Sequence, residues 1–226
     1  MASGKIQSGP IDGDTEITLG LLNAVQESSA VTQRSMANDL GIALGLANAY
    51  LKRCVRKGYI KVSQIPPNRY AYYLTPHGFS EKSRLTAEYL SSSFTFFRRA
   101  RAQCEADLDR CTARGWTRVA LAGASELAEI ATLCAAERAV TLVGLIDPPH
   151  VDRRGEGRAG GRYAGLPVAD DPASLEDHDA VLITDLRDPQ GVYEWLSAIM
   201  PDERLMTPPL LGVRRDHPKP EPEAGP

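Results

Sequence analysis

Two groups of residues in this 226-residue chain have the types and spacing for chemistry with phosphate. The first is Gly123-x-Ser125-x-x-Ala128, followed by Asp147, 24 residues after Gly123. A glycine turn between a strand and a helix presents backbone N–H groups at the positive end of that helix, where phosphate is held. An acidic side chain ending the next strand is placed to meet a ribose hydroxyl. Ser125 stands where the full fingerprint has its second glycine, so the backbone approaches a pyrophosphate less closely. Gly123, Ala124, Ser125, Glu126 and Asp147 are therefore candidate ligand residues, and a valine at Gly123 is expected to fill the phosphate position. The segment from Pro148 to Gly165 adds Arg153 and Arg154, two of four arginines among five glycines. Guanidinium groups pair bidentately with phosphate, so this loop can close over an anion. The structural alternatives are an Asp147 that caps the Pro148-Pro149 turn and a solvated loop.

The second group is basic and polar: Asn48, Lys52, Arg53 and Arg56 along one stretch, Gln33 and Ser35 before it, Asn68 and Arg69 after it. Between Val31 and Gly115 there are 14 Lys and Arg against 6 Asp and Glu, a balance of +8, whereas the whole chain is −3. A basic module within a mildly acidic chain is the footprint of a surface that meets a polyanion.

The elements that must carry these residues follow from periodicity. Ile17, Leu21, Leu22 and Val25 share a helix face in a first helix from Thr15. Thr32 to Ile42 reads as a short helix with a hydroxyl N-cap and a closing glycine. From Ala43 to Lys57 the apolar positions Leu44, Leu46, Ala47, Leu51, Cys54 and Val55 recur at helical spacing, and Gly58 ends the helix. Tyr59–Ser63 and Tyr70–Leu74 alternate as strands around a Pro66-Pro67-Asn68-Arg69 turn. Helix, turn, helix and basic hairpin in this order make a winged helix-turn-helix, whose second helix enters the major groove of DNA. A protein-binding winged module is the alternative. Beyond the hairpin, Thr75 to about Arg114 reads as one long helix. Its Phe94, Phe96 and Phe97 exceed what a small domain buries and point to a dimer seam, or to packing on the C-terminal domain.

From Thr117 the pattern becomes strand and helix in alternation, the grammar of a parallel α/β domain. Strands are expected at Arg118–Ala122, Val140–Ile146, Leu166–Val168, Ala180–Thr184 and Arg204–Met206, and helices at 126–137, near Pro172–Asp177 and at Pro189–Met200. The expected domains are a disordered arm at 1–14, the winged module at 15–78, a linking and dimerisation helix at 79–115, a Rossmann-like domain at 116–213 and a disordered tail at 214–226. Cys54, Cys104, Cys111 and Cys134 contain no CxxC pair and read as reduced thiols, with Cys104 and Cys111 on a buried seam. The 4 histidines are scattered, so no metal site is expected. No run is apolar enough for a membrane span and the start lacks an apolar signal core, so the expected location is cytoplasmic.

Two resemblances sharpen these expectations. Ser35-Met36-Ala37, Leu51-Lys52, Lys57 to Val62, Tyr73-Leu74-Thr75-Pro76-His77-Gly78 and Glu81 to Thr86 resemble the MarR-type regulators associated with bacterial exopolysaccharide gene clusters, over roughly residues 15–101. That resemblance implies a dimeric regulator that binds double-stranded DNA. Ala122 to Ala128, Val143 to Asp147 and Tyr163 to Val168 resemble the N-terminal Rossmann-like domain of bacterial sugar O-acyltransferases, in which the glycine turn and strand-end acid hold a nucleotide sugar. No hexapeptide-repeat domain follows and no Tyr-x-x-x-Lys pair is present, which points to binding without turnover. The expected effector is a nucleotide sugar. NAD(H) is second, as in redox-sensing repressors that join a winged helix to a Rossmann domain, and an enzyme of nucleotide-sugar metabolism is third.

Overall fold

A computed structural model describes residues 12–65, 69–147 and 160–215, apart from the side chains of Ile65 and Arg69. The chain divides into two compact units, Met1–Phe96 and Phe97–Pro226.

The first unit holds α1 (Gly13–Glu27), α2 (Gln33–Asp39), α3 (Leu44–Arg56), β1 (Ile60–Ile65), β2 (Arg69–Leu74) and the start of α4 (Pro76–Ala113). Leu21, Leu22 and Val25 of α1 pack with Met36, Leu51, Cys54, Tyr59, Ile60, Tyr72 and Leu85 into one core. Apolar burial of this kind, about 25 cal/mol per Å², is what holds a three-helix support together. Thr32 caps α2 reciprocally with Ser35: the Ser35 N–H donates to Thr32 Oγ1 at 3.0 Å, and the Thr32 N–H donates to Ser35 Oγ at 3.0 Å. Gly41, at φ 62°, closes the helix, with its own N–H on Asn38 O and the Ile42 N–H on Ala37 O at 2.9 Å. Those two bonds satisfy carbonyls that a helix end otherwise leaves orphaned, and they turn the chain sharply into α3.

The hairpin pairs antiparallel from Ile60↔Leu74 to Ile65↔Arg69. Thr75 then starts α4. Its hydroxyl donates to Gly58 O at 2.6 Å and accepts from the Gly78 N–H at 3.0 Å, and Pro76 occupies the first helical position, where a missing N–H costs nothing. Gly78 lies so close to the start of β1 that a Cβ there would stand 2.0 Å from Tyr59 O. The Leu-Thr-Pro-x-Gly sequence is thus a cap, a helix starter and a close contact in succession.

In the second unit, the C-terminal half of α4 buries Ala100, Cys104, Leu108 and Cys111. The elements that follow are β3 (Arg118–Ala122), α5 (Glu126–Ala136), β4 (Thr141–Ile146), β5 (Arg162–Tyr163), β6 (Leu166–Ala169), β7 (Ala180–Ile183), α6 (Pro189–Ser197) and β8 (Leu205–Met206). They form a six-stranded sheet in the order β5-β6-β4-β3-β7-β8. Every neighbouring pair is parallel except β5 with β6. Numbered along the chain, the parallel strands run 3-2-1-4-5, so the order reverses between β3 and β7. Ala180–Ile183 and Val119–Ala122 are buried throughout, as strands covered on both faces must be.

The structure departs from the sequence reading in four places. The arm expected at 1–14 ends earlier, because α1 begins at Gly13 and Asp14 is bonded into the unit; residues 1–11 lie outside the described residues. The helix expected near Pro172–Asp177 is a single 3-10 turn, Pro172–Ser174, after which Leu175 is extended. β5 was not expected: it turns back through Ala164 at φ 47° and Gly165 at φ 81°. In the tail expected from 214, Arg215 is described and donates to Leu205 O at 2.7 Å, while residues 216–226 lie outside the described residues.

Candidate nucleic-acid interface and strand-end turn

α3 has two clear faces. Ala47, Leu51 and Cys54 point into the core. Gly45, Ala49, Lys52 and Arg56 recur at i, i+4, i+7 and i+11 on the opposite side, and all four are exposed. Asn48 is half-buried on the flank of this stripe. Gly45 has nothing within 4 Å of its Cβ position, and Ala49 projects only a methyl, so the backbone at the helix's start can approach another surface closely. Lys52 and Arg56 supply charge nearer its end.

Arg53 is placed differently from the other basic residues. Its Nη1 donates to Asp14 Oδ1 at 2.7 Å and its Nη2 meets Asp14 Oδ2, while the Tyr50 hydroxyl donates to Asp14 Oδ1 at 2.6 Å. The Arg53 guanidinium, followed by the Tyr50 hydroxyl, holds the Asp14 carboxyl below the usual carboxylate range. Asp14 in turn raises the Tyr50 phenol. Arg53 therefore ties α1 to α3 and sets the angle of α3 on its support.

Gln33 and Ser35 are likewise engaged within the fold. Gln33 Nε2 reaches the Tyr72 hydroxyl at 3.4 Å, and the Ser35 hydroxyl belongs to the α2 cap. Arg69 contributes backbone to β2 but its side chain is outside the description, and Asn68 lies outside the described residues. Beside that tip the hairpin exposes Tyr70, at 57%, and at its opposite end Lys61, neither of which the sequence reading had singled out as a contact.

In the second unit, β3 and β4 bring Gly123 and Asp147 to the same edge of the sheet. The Gly123 N–H donates to Ile146 O at 2.9 Å, and the Asp147 N–H donates to Ala169 O at 2.7 Å. Yet the glycine turn is filled from within. Gly123 has φ 104°, and a Cβ there would lie 2.5 Å from Asp185 Cβ and 2.6 Å from its backbone N. Thr184 is wholly buried, and its hydroxyl donates to Gly123 O at 2.6 Å. Asp185 folds its carboxylate inward, where Oδ1 accepts from the N–H groups of Arg187 and Asp188, both at 2.8 Å. The Ser125 hydroxyl accepts from the Leu127 N–H at 3.1 Å and donates to Thr184 O. Glu126 and Glu129 occupy the first turn of α5, so negative charge already sits at its positive end. Arg153 and Arg154 lie outside the described residues.

All four cysteines are free and buried. Burial pushes the Cys104 thiol up to about 12 and those of Cys54 and Cys111 up to about 11, so they are packing groups and not nucleophiles. Among the described residues no cluster of His, Cys, Asp or Glu could hold a metal ion, and no helix is long and apolar enough to cross a membrane.

Residues 14–61 match the family described as winged helix-turn-helix DNA-binding. Among solved structures, the chain is similar to the PcaV transcriptional regulator from Streptomyces coelicolor, crystallised with its natural ligand. The identity is 20% over 36% of this chain and 59% of that one, with a TM-score of 0.34. It is similar also to MepR, a transcription regulator of the Staphylococcus aureus multidrug efflux pump MepA, at 22% identity over 46% of this chain and 79% of that one, TM-score 0.34. The MepR–DNA complex matches at 24% identity over 38% of this chain and 62% of that one, TM-score 0.33. The chain spans under two thirds of the length of the first of these structures. No curated protein matches it. The N-terminal unit is a winged helix-turn-helix, with α2 and α3 as its two helices and β1–β2 as its wing.

Proposed function

We propose that the chain is a DNA-binding transcription regulator of MarR type that places α3 in the major groove and the β1–β2 hairpin beside it. The observation that carries this reading is the exposed Gly45–Ala49–Lys52–Arg56 stripe, on the helix of the winged module that faces away from its core. Small residues admit the backbone to the base edges, Asn48 has an amide suited to adenine, and Lys52 and Arg56 meet phosphates. Arg53 acts by positioning the helix. Replacing Lys52 and Arg56 together by alanine is expected to lower the slope of log K against log salt by about 1.8, because each lost phosphate contact removes about 0.9. Arg53→Ala, which removes no phosphate contact in this reading, should weaken binding with the slope retained. Filter binding across a salt series separates the two.

A homodimer forms part of the proposal. Phe79, Leu90 and Phe94 lie on one face of α4 with exposures of 48, 47 and 59%, and Phe97 is the next residue on that face. An apolar stripe left in water favours association. Phe94→Glu is expected to convert a dimer to a monomer and to reduce affinity for a two-half-site duplex, as read by light scattering and anisotropy.

The α/β unit is proposed to be Rossmann-like and to sense a nucleotide-type metabolite, a nucleotide sugar of exopolysaccharide synthesis before NAD(H). The reversal of strand order at β3 and β7 supports this, since ligands of such sheets bind beyond the strand ends at that point. A second reading, a scaffold without a ligand there, is favoured by the packing of Asp185 on Gly123. A thermal-shift series with nucleotide sugars, NAD(H), NADP(H) and coenzyme A decides between them, because a ligand selective for the folded state raises Tm by mass action. A rise with any of these supports sensing; no rise with all of them leaves the scaffold.

A further inference from the structure

The second unit contains a cleft of about 460 Å³ that shares no lining residue with the Gly123 turn. It runs between the C-terminal half of α4 and the segment after β8. Ala102 and Ala106, one turn apart, leave space along one wall, and Gln103 fixes the other by accepting the Leu210 N–H at 2.7 Å. Its volume is in the range of sites for small molecules.

Asp107 lines this cleft with a side chain only 3% exposed. Its Oδ1 meets the Arg110 guanidinium, whereas Oδ2 is buried without a hydrogen-bond partner. A buried acceptor left unmatched is costly, and folded proteins retain few of them without a use. Desolvation raises the Asp107 carboxyl above its ordinary range against the lowering effect of Arg110. The group therefore gains from a donor, and most from a cationic one. Two guanidiniums border the same space. Arg215 is anchored by Leu205 O at 2.7 Å and Thr207 Oγ1 at 2.9 Å. Arg110 is more than half exposed and meets Asp107 Oδ1 through Nη2. The cleft thus offers a buried acceptor and, beside it, outward-facing positive charge.

We propose that this cleft binds a small zwitterion of the amino-acid type, its ammonium toward Asp107 and its carboxylate toward Arg110. A simple anion would meet the Asp107 charge, and a simple cation the two arginines; a ligand carrying both charges on adjacent atoms satisfies the arrangement. The site stands independently of the nucleotide reading, since it shares no residue with the Gly123 turn.

The test is a thermal-shift and calorimetric series on the full chain with each of the twenty protein amino acids. The N-acetyl and amide derivatives of any that bind serve as controls. At least one amino acid is expected to raise Tm by about 5–10 °C at a hundredfold excess over its Kd, with both derivatives inactive. Asp107→Asn should abolish the shift. Arg110→Ala should weaken binding at least tenfold; because it also takes away the partner of the buried Asp107 carboxylate, its shift is read against the ligand-free Tm of the same protein. No shift with any of the twenty, or binding that survives both substitutions, overturns the proposal.

Discussion

A protein carrying Gly123→Val is expected to be less stable by about 2–5 kcal/mol in its α/β unit, whatever that unit binds. The left-handed backbone at φ 104° disfavours any β-carbon, and a branched one most. The added atoms would also collide with Asp185, whose backbone N lies 2.6 Å from the Cβ position. Relief requires β7 to part from β3, which breaks the Thr184 hydrogen bonds to Ala122 O and Gly123 O. Equilibrium denaturation with hydrogen exchange on β3 and β7 reads the effect. The sequence suggested a different outcome, a valine that fills the phosphate position and abolishes the ligand response while leaving DNA binding nearly intact. An unchanged denaturation midpoint with lost nucleotide binding would restore that view.

Gly78→Ala is expected to cost about 2–4 kcal/mol in the winged unit, through overpacking and loss of the Thr75 cap. Its Cβ would stand 2.0 Å from Tyr59 O and 2.9 Å from the carbonyl carbon, both backbone atoms that cannot rotate away. The start of α4 must move off β1, releasing the Gly78 N–H from Thr75 and the Thr75 hydroxyl from Gly58. Gly45→Ala provides the control of opposite sign. Nothing lies within 4 Å of that position, so alanine should stabilise α3 by about 0.5–1 kcal/mol. Thermal denaturation of the three proteins orders them Gly45→Ala above the unmodified chain and Gly78→Ala below it.

Elements governed by local pattern were legible in the sequence, while the uses of individual side chains were not. The buried strand Arg118–Ala122 appears at the residues expected, because an uninterrupted apolar run between turn signals has few other solutions. The Thr32 cap and the glycine closures at Gly41 and Gly58 were equally readable, since each is decided within one turn of helix. Arg53 was read as a contact residue like Lys52. Its engagement with Asp14 spans 39 positions, and no window on α3 reveals it. The glycine at 123 was assigned to a ligand because the motif is local, yet the atoms that require it belong to Asp185, 62 residues later. The cleft at Asp107 had no signal at all: a single acid on a long charged helix looks solvated until the segment after β8 folds over it.

Whether α3 of the winged unit reads duplex DNA is decided by fluorescence anisotropy of the full chain on a labelled duplex. Titrations on a random-sequence 30-base-pair duplex at several salt concentrations should show binding whose affinity falls linearly in log–log form. The Lys52→Ala, Arg56→Ala protein should be weaker, with a slope smaller by about 1.8. No binding by the unmodified chain at low salt, or the same affinity and slope in both proteins, would contradict the assignment of α3.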